Sequence, residues 1–147
     1  MYTPIVTPAE LNNIYPEIIT EITRNDGGAL ATEAIDTAIE EIKMYLTRYD
    51  MIQLFGDAAN AIAASFTNAY LSRIVKDIAV WHLIQLANPN IDYEIYKHRY
   101  EEHIASLRRI QKGDADPKWP YLDTTGEAAP QGDSVSAFSN PKRNNSY

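Results

Sequence analysis

The sequence predicts an all-α protein, a small helical bundle of three to four main helices with an extended C-terminal arm. Apolar residues recur at helical spacing from about Ala29 to Tyr49, and a second stretch, Ser65 to Ala87, is apolar around most of its circumference. After Gly113 the composition turns abruptly to Pro117, Pro120, Pro130, Pro141 and many Ser, Asn and Asp residues, which cannot build a core. These observations divide the 147 residues into a helical domain, 1–113, and an arm, 114–147.

The first helix is signalled at Thr7-Pro8-Ala9-Glu10. Thr7 can cap, Pro8 suits the first helical position, and Glu10 can reach back to close a capping box. Pro16 should interrupt this helix and start a short turn through Ile22, and Asn25-Asp26-Gly27-Gly28 reads as a loop. The next helix buries Ala31, Ala34, Ile35, Ala38, Ile39, Ile42, Leu46 and Tyr49, and its alanines allow another helix to approach closely. Met51 to Phe55 is an apolar patch before Gly56-Asp57, where a loop or short turn and then a helix are expected.

The helix over Ser65 to Ala87 belongs at the centre of the bundle, because apolar residues cover most of its circumference. Asn88-Pro89-Asn90 ends it, since proline disfavours helical geometry in the residue before it and lacks an N–H. The last helix starts near Asp92 as a cap and buries Tyr93, Tyr96, Tyr100, His103 or Ile104, Leu107 and Ile110. It stops at Gly113, with Arg108, Arg109 and Lys112 placed against the negative end of its dipole.

Charge and composition narrow the function. The net charge is −7, which argues against a general nucleic-acid binder, because such binding needs clustered cations to displace counterions from phosphates. Ten acids and three bases fall in residues 1–63, whereas residues 64–113 carry five acids and seven bases. Without cysteine there is no disulfide, thiolate metal site or thiol nucleophile. Neither a membrane-spanning stretch nor a secretory leader is legible, so a start in a cytoplasm and no membrane partner are expected.

Chemistry-bearing groups are few. His98 and His103 lie five residues apart on one helix and point about 140° apart, poor geometry for sharing a metal. His82 reads as a satisfied core group. Glu33, Asp36, Glu40 and Glu41 form an acidic face without an accompanying histidine or nucleophile, which reads as a solvated surface or as a wall facing a channel or a basic neighbour. Phosphate loops, serine elbows and dinucleotide fingerprints are missing, so no catalytic residue, cofactor or metal is expected. Trp119, Tyr121, Phe138 and Tyr147 in the arm are costly to expose and efficient as anchors, and are expected to bind a partner.

The order of features, Met1-Tyr2, Thr7-Pro8-Ala9-Glu10-Leu11, Ala34-Ile35-Asp36 leading to Tyr45-Leu46 and Arg48-Tyr49, Asp77-Ile78-Ala79 before Trp81 and Leu83, and the close at Leu107, Ile110 and Gly113, resembles the head-to-tail connector (adaptor) proteins of tailed bacteriophages, particularly the Mu-like prophage branch. The likeness covers roughly residues 1 to 113. It implies a subunit of a ring, commonly of twelve copies, beneath the portal protein in the virion neck, with DNA passing through the lumen without sequence-specific binding. Such proteins extend the channel, help retain the genome and offer a docking surface to tail or neck proteins, with no catalytic residues.

The residues themselves suit that role. A ring needs one patch to meet a different patch on the next copy, and an acidic N-terminal half with a mildly basic third quarter, including Arg108, Arg109 and Lys112, offers complementary surfaces. Glu33, Asp36, Glu40 and Glu41 are candidates for an acidic lumen. The competing class is a cellular helical adaptor or regulator with a flexible tail.

Overall fold

The computed structural model describes residues 2, 4–13, 28–87 and 92–123. Among these it is all-α, with a 3-10 helix over Pro8–Asn13 followed by α1 (Ala29–Lys43), α2 (Met51–Phe55), α3 (Ala69–Ala87) and α4 (Glu94–Lys112). The expected interruption at Pro16, the turn through Ile22 and most of the Asn25–Gly28 loop lie outside the described residues, as do Phe138 and Tyr147.

Half of the expected box forms. The Thr7 N–H donates to Glu10 Oε2 at 2.9 Å, but the Thr7 hydroxyl donates to the same oxygen at 3.0 Å instead of accepting from the Glu10 amide, which bonds the Thr7 carbonyl at 3.0 Å. Lys76 of α3 stands 3.5 Å from Glu10 Oε1, so the pair fixed by local sequence also ties the first turn to the body.

Helix α1 starts after Gly28, whose φ of 91° is a left-handed conformation that glycine adopts without strain. It buries Ala31, Ala34, Ile35, Ala38, Ile39 and Ile42, as the spacing predicts, but ends at Lys43, six residues before the expected Tyr49. The amides of Met44, Tyr45 and Leu46 bond three residues back to Glu41, Ile42 and Lys43, a tightening that closes the helix. Leu46 and Tyr49 are nevertheless buried, so the apolar pattern outlasts the helix.

Asp50 then caps α2, its carboxylate accepting from the amides of Ile52 at 3.1 Å and Gln53 at 3.2 Å. The alanine-rich run after Gly56 forms no helix; Asp57 and Ile62 exchange backbone bonds of 2.7 and 2.8 Å around a tight loop. Gly56 sits at φ 78°, ψ −173°, a region essentially confined to glycine. A Cβ there would lie 2.6 Å from the Ile62 carbonyl oxygen and 2.8 Å from the Ala64 nitrogen. Gly56→Ala should therefore cost about 2 to 3 kcal/mol, read as a lowered urea midpoint at unchanged m; an unchanged midpoint would mean that this loop relaxes freely.

Helix α3 begins at Ala69, four residues later than predicted, because the Asn68 side chain accepts from the Leu71 amide at 3.0 Å and caps it there. Ser65 and Phe66 instead donate their amides to the Gln53 carbonyl. Leu71, Ile74, Val75, Ile78, Ala79, Val80, Leu83 and Ile84 are buried, and α3 packs against α1 and α4 as the central element. Asp92 accepts from the Glu94 amide at 3.0 Å at the head of α4. Gly113 ends α4 at φ 89°. Tyr93, expected in the buried stripe, is exposed instead.

The arm as drawn from sequence is corrected at its root. Residues 115–122 fold back on the body, and Trp119, at 2% exposure, belongs to the core. Its ring meets Tyr49 edge-on at 6.1 Å and lies 6.4 Å from Tyr70. The Asp50 amide donates to the Pro120 carbonyl at 2.9 Å, and the Leu122 amide to the Arg48 carbonyl at 2.9 Å. Two ring contacts of Trp119 and two backbone bonds thus fasten a segment that has no helix of its own.

Candidate functional surfaces

Glu33, Asp36 and Glu40 all lie on the exposed side of α1. Glu40 holds Lys43 at 3.1 Å, an exposed pair that contributes little stability. Glu41 departs from this face, as its position about 100° further round the helix than Glu40 requires. Its carboxylate turns inward, with Oε1 2.7 Å from His82 Nε2 on α3 and Oε2 accepting from the Tyr100 hydroxyl of α4 at 2.6 Å. Glu41 therefore joins three helices rather than lining an acidic surface. Burial first, and then the neighbouring carboxylate of Glu41, push the Tyr100 hydroxyl well above its usual pKa.

A second junction was invisible as a unit in the sequence. Asp77 of α3, 4% exposed, takes Arg73 Nε at 3.1 Å and His103 Nε2 of α4 at 2.7 Å on the same oxygen, Oδ2. Oδ1 has no hydrogen-bond partner among the described residues. Burial alone would raise the Asp77 pKa, but the hydrogen bonds and charge of His103 and Arg73 hold it below the usual value. A folded pKa below the unfolded one means stability that is present above about pH 4 and lost as pH falls through the folded pKa. Asp77→Asn should cost roughly 1 to 3 kcal/mol at pH 7 and flatten the loss of stability on acidification below about pH 5. Parallel stability curves for the two proteins across that range would contradict it.

Arg108, Arg109 and Lys112 sit at the negative end of the α4 dipole, but among the described residues the last carbonyls of α4 are bonded by other groups. Arg48, from the turn after α1, donates to the Ile110 carbonyl, while the Asp114 and Ala115 amides bond the Arg109 carbonyl at 2.9 and 3.3 Å. Arg108, Arg109 and Lys112 are exposed at the helix end. Arg109 also borders a shallow pocket of about 370 Å³ with Tyr70, Ser106, Ala115, Asp116 and Trp119.

Around Trp119 the polar groups form a latch. The Asp116 carboxylate accepts from the Tyr49 hydroxyl at 3.2 Å and from the Tyr121 hydroxyl, and Tyr121 stacks on Tyr49 at 5.0 Å. The Tyr121 hydroxyl, followed by the Lys118 amide, lowers the Asp116 pKa to about 2. Burial, and then the facing Asp116, raise Tyr49 to about 12. Tyr121 keeps about half of its surface in water; of the four aromatics assigned to binding, it is the one the described residues leave accessible, while Trp119 is spent on the core.

A wider groove of about 490 Å³ lies between α1 and α2, reaching from Tyr2 and Asp36 to Phe55 and Ala59. Among the described residues no group of three or more His, Cys, Asp or Glu is placed to hold a metal ion, and no helix is long and apolar enough to cross a membrane.

The geometry defines a small all-α protein whose inward polar groups clasp its helices to one another and whose acidic and basic groups emerge on different helices. The family described as Bacteriophage Mu, Gp36 has a model that matches residues 6–137, and the chain belongs to that family. It is therefore a Mu-like phage protein. The match runs well past Gly113, where the sequence resemblance was drawn to end, and takes in the folded-back segment around Trp119. No curated protein and no solved structure matches the chain.

Proposed function

We propose that this chain is a structural virion protein, a head-to-tail connector (adaptor) subunit that forms a ring, commonly of twelve copies, beneath the portal protein. There it extends the DNA channel and gives tail or neck proteins a surface to dock on. The observation that carries this reading is the match to the Mu family over most of the chain. The placement of charge supports it: Glu33, Asp36 and Glu40 are exposed on α1, and Arg108, Arg109 and Lys112 at the far end of α4. Two different patches of opposite sign suit the head-to-tail contact of a ring, whereas a two-fold dimer needs one self-complementary patch.

The same acidic residues suit a lumen wall along which DNA slides without sticking, since like charge repels the phosphates. In this reading the protein acts by binding and has no reaction or cofactor of its own, and it resides in the neck after synthesis in the host cytoplasm. The test is co-purification of the full chain with the portal protein of the same phage, followed by electron microscopy of the complex. A ring seated on the portal is expected. A portal that emerges bare, with the chain monomeric beside it, overturns the reading.

A further inference from the structure

The described chain leaves the body beside the groove between α1 and α2. The Leu122 amide bonds the Arg48 carbonyl, and Asp123 faces Asp50 closely enough to oppose its ionisation. Asp50 is the residue that caps α2. The next residues, Met51 and Ile52, with Phe55 and Ile39, make the apolar part of the groove, and Ile52 is 48% exposed. Asp36, Glu40 and Asp57 stand on its border against a single cation, Lys43, so it presents net negative charge around an apolar floor.

One segment of this chain has the complementary chemistry. Residues 138–147 carry Phe138, Lys142, Arg143 and Tyr147 and no acid, and the family match stops just before them. Fourteen residues, 124–137, separate them from Asp123, a connection that reaches at most about 50 Å when extended, ample for a groove that begins beside the exit point. A tether of that length also holds the segment at a far higher effective concentration than a separate copy at micromolar levels.

We propose that the groove between α1 and α2 receives residues 138–147 of the same chain, with Phe138 on the floor of Ile39, Met51, Ile52 and Phe55 and with Lys142 and Arg143 against Asp36, Glu40 and Asp57. Nothing in this depends on the connector reading: it assigns an occupant to a groove of the isolated subunit, and Asp36 and Glu40 would have to release that occupant before they could face a neighbouring copy or a lumen.

The absence of cysteine makes cross-linking a clean test on the full chain. Ala58→Cys with Ser139→Cys, and independently Ala59→Cys with Ser139→Cys, keep Phe138 and the apolar floor intact and would be treated at micromolar concentration with a short bismaleimide, with folding checked by circular dichroism. Lys97→Cys on α4 paired with Ser139→Cys gives the rate of random encounter. The expected result is an intramolecularly linked monomer forming at least tenfold faster for the groove pairs, and slowed to the control rate by Lys142→Glu with Arg143→Glu. Predominant dimer would overturn the proposal in favour of a second copy as occupant. Equal rates for groove and control pairs would overturn it outright, and insensitivity to the charge reversal would remove the assigned role of Lys142 and Arg143.

Discussion

Ile78→Asp should yield no soluble folded protein. Ile78 lies midway along α3, the helix that packs on both α1 and α4, and has no exposed surface. Its neighbours on the helix, Ile74, Val75 and Ala79, are fully buried as well, so a carboxylate placed there finds no water. Asp77 and Arg73 are already committed to each other, and Asp77 to His103. An unpaired buried charge either stays ionised at a cost of several kcal/mol or takes up a proton and still leaves a polar group without partners. A domain of this size has about 5 to 15 kcal/mol to lose, and the mutation also forfeits the transfer energy of the isoleucine, about 2 to 3 kcal/mol. Ile78→Val, which removes one methylene, should cost only about 1 kcal/mol and remain soluble. A soluble Ile78→Asp variant that melts cooperatively would mean that α3 is not the centre of the body.

The ease of predicting that effect reflects which parts of the fold local sequence can express. The stripe of α1, the apolar residues around most of α3, the Thr7–Glu10 pair and the Gly113 stop each arise from residues within a turn or two of one another, where periodicity and capping chemistry act directly. Where periodicity and chain path part company, the reading failed. Leu46 and Tyr49 continue the apolar spacing of α1 although the helix has closed at Lys43, because burial requires only that a side chain face the core. The start of α3 was marked by Asn68, a preferred capping residue, but the apolar Phe66 just before it extended the apparent stripe.

The surfaces divided in the same way. Glu33, Asp36 and Glu40 share a helix face by spacing alone, while the turn of Glu41 toward His82 and Tyr100 depends on helices some forty and sixty residues away. The Asp77–His103 contact, 26 residues apart, and the Arg48 cap on Ile110, 62 residues apart, were equally out of reach. Composition misled outright at Trp119. A segment with Pro117, Pro120 and a scatter of polar residues cannot build a core, yet it can complete one that other elements have built.

That distinction sets the second large effect. Trp119→Ala should destabilise the protein by about 3 to 5 kcal/mol, the usual range for removing a large aromatic side chain from a core. The indole, 2% exposed, is flanked by Tyr49 and Tyr70, and its loss would leave a cavity that helices α3 and α4 cannot close without moving. Truncation after Gly113 should cost at least as much, since it also removes the Pro120 carbonyl that pairs with the Asp50 amide and the Asp116 carboxylate that holds Tyr49. Truncation after Asp123 keeps all of these groups. Urea unfolding of the three variants separates a core role from a docking role: a structural tryptophan predicts a large drop for the first two and, for the third, only the smaller drop that losing the groove contact of residues 138–147 would bring. If Trp119 were a partner anchor, Trp119→Ala would unfold at the same urea concentration as the parent protein and lose only assembly. An unchanged midpoint would return the segment to the arm, with the body closing at Gly113.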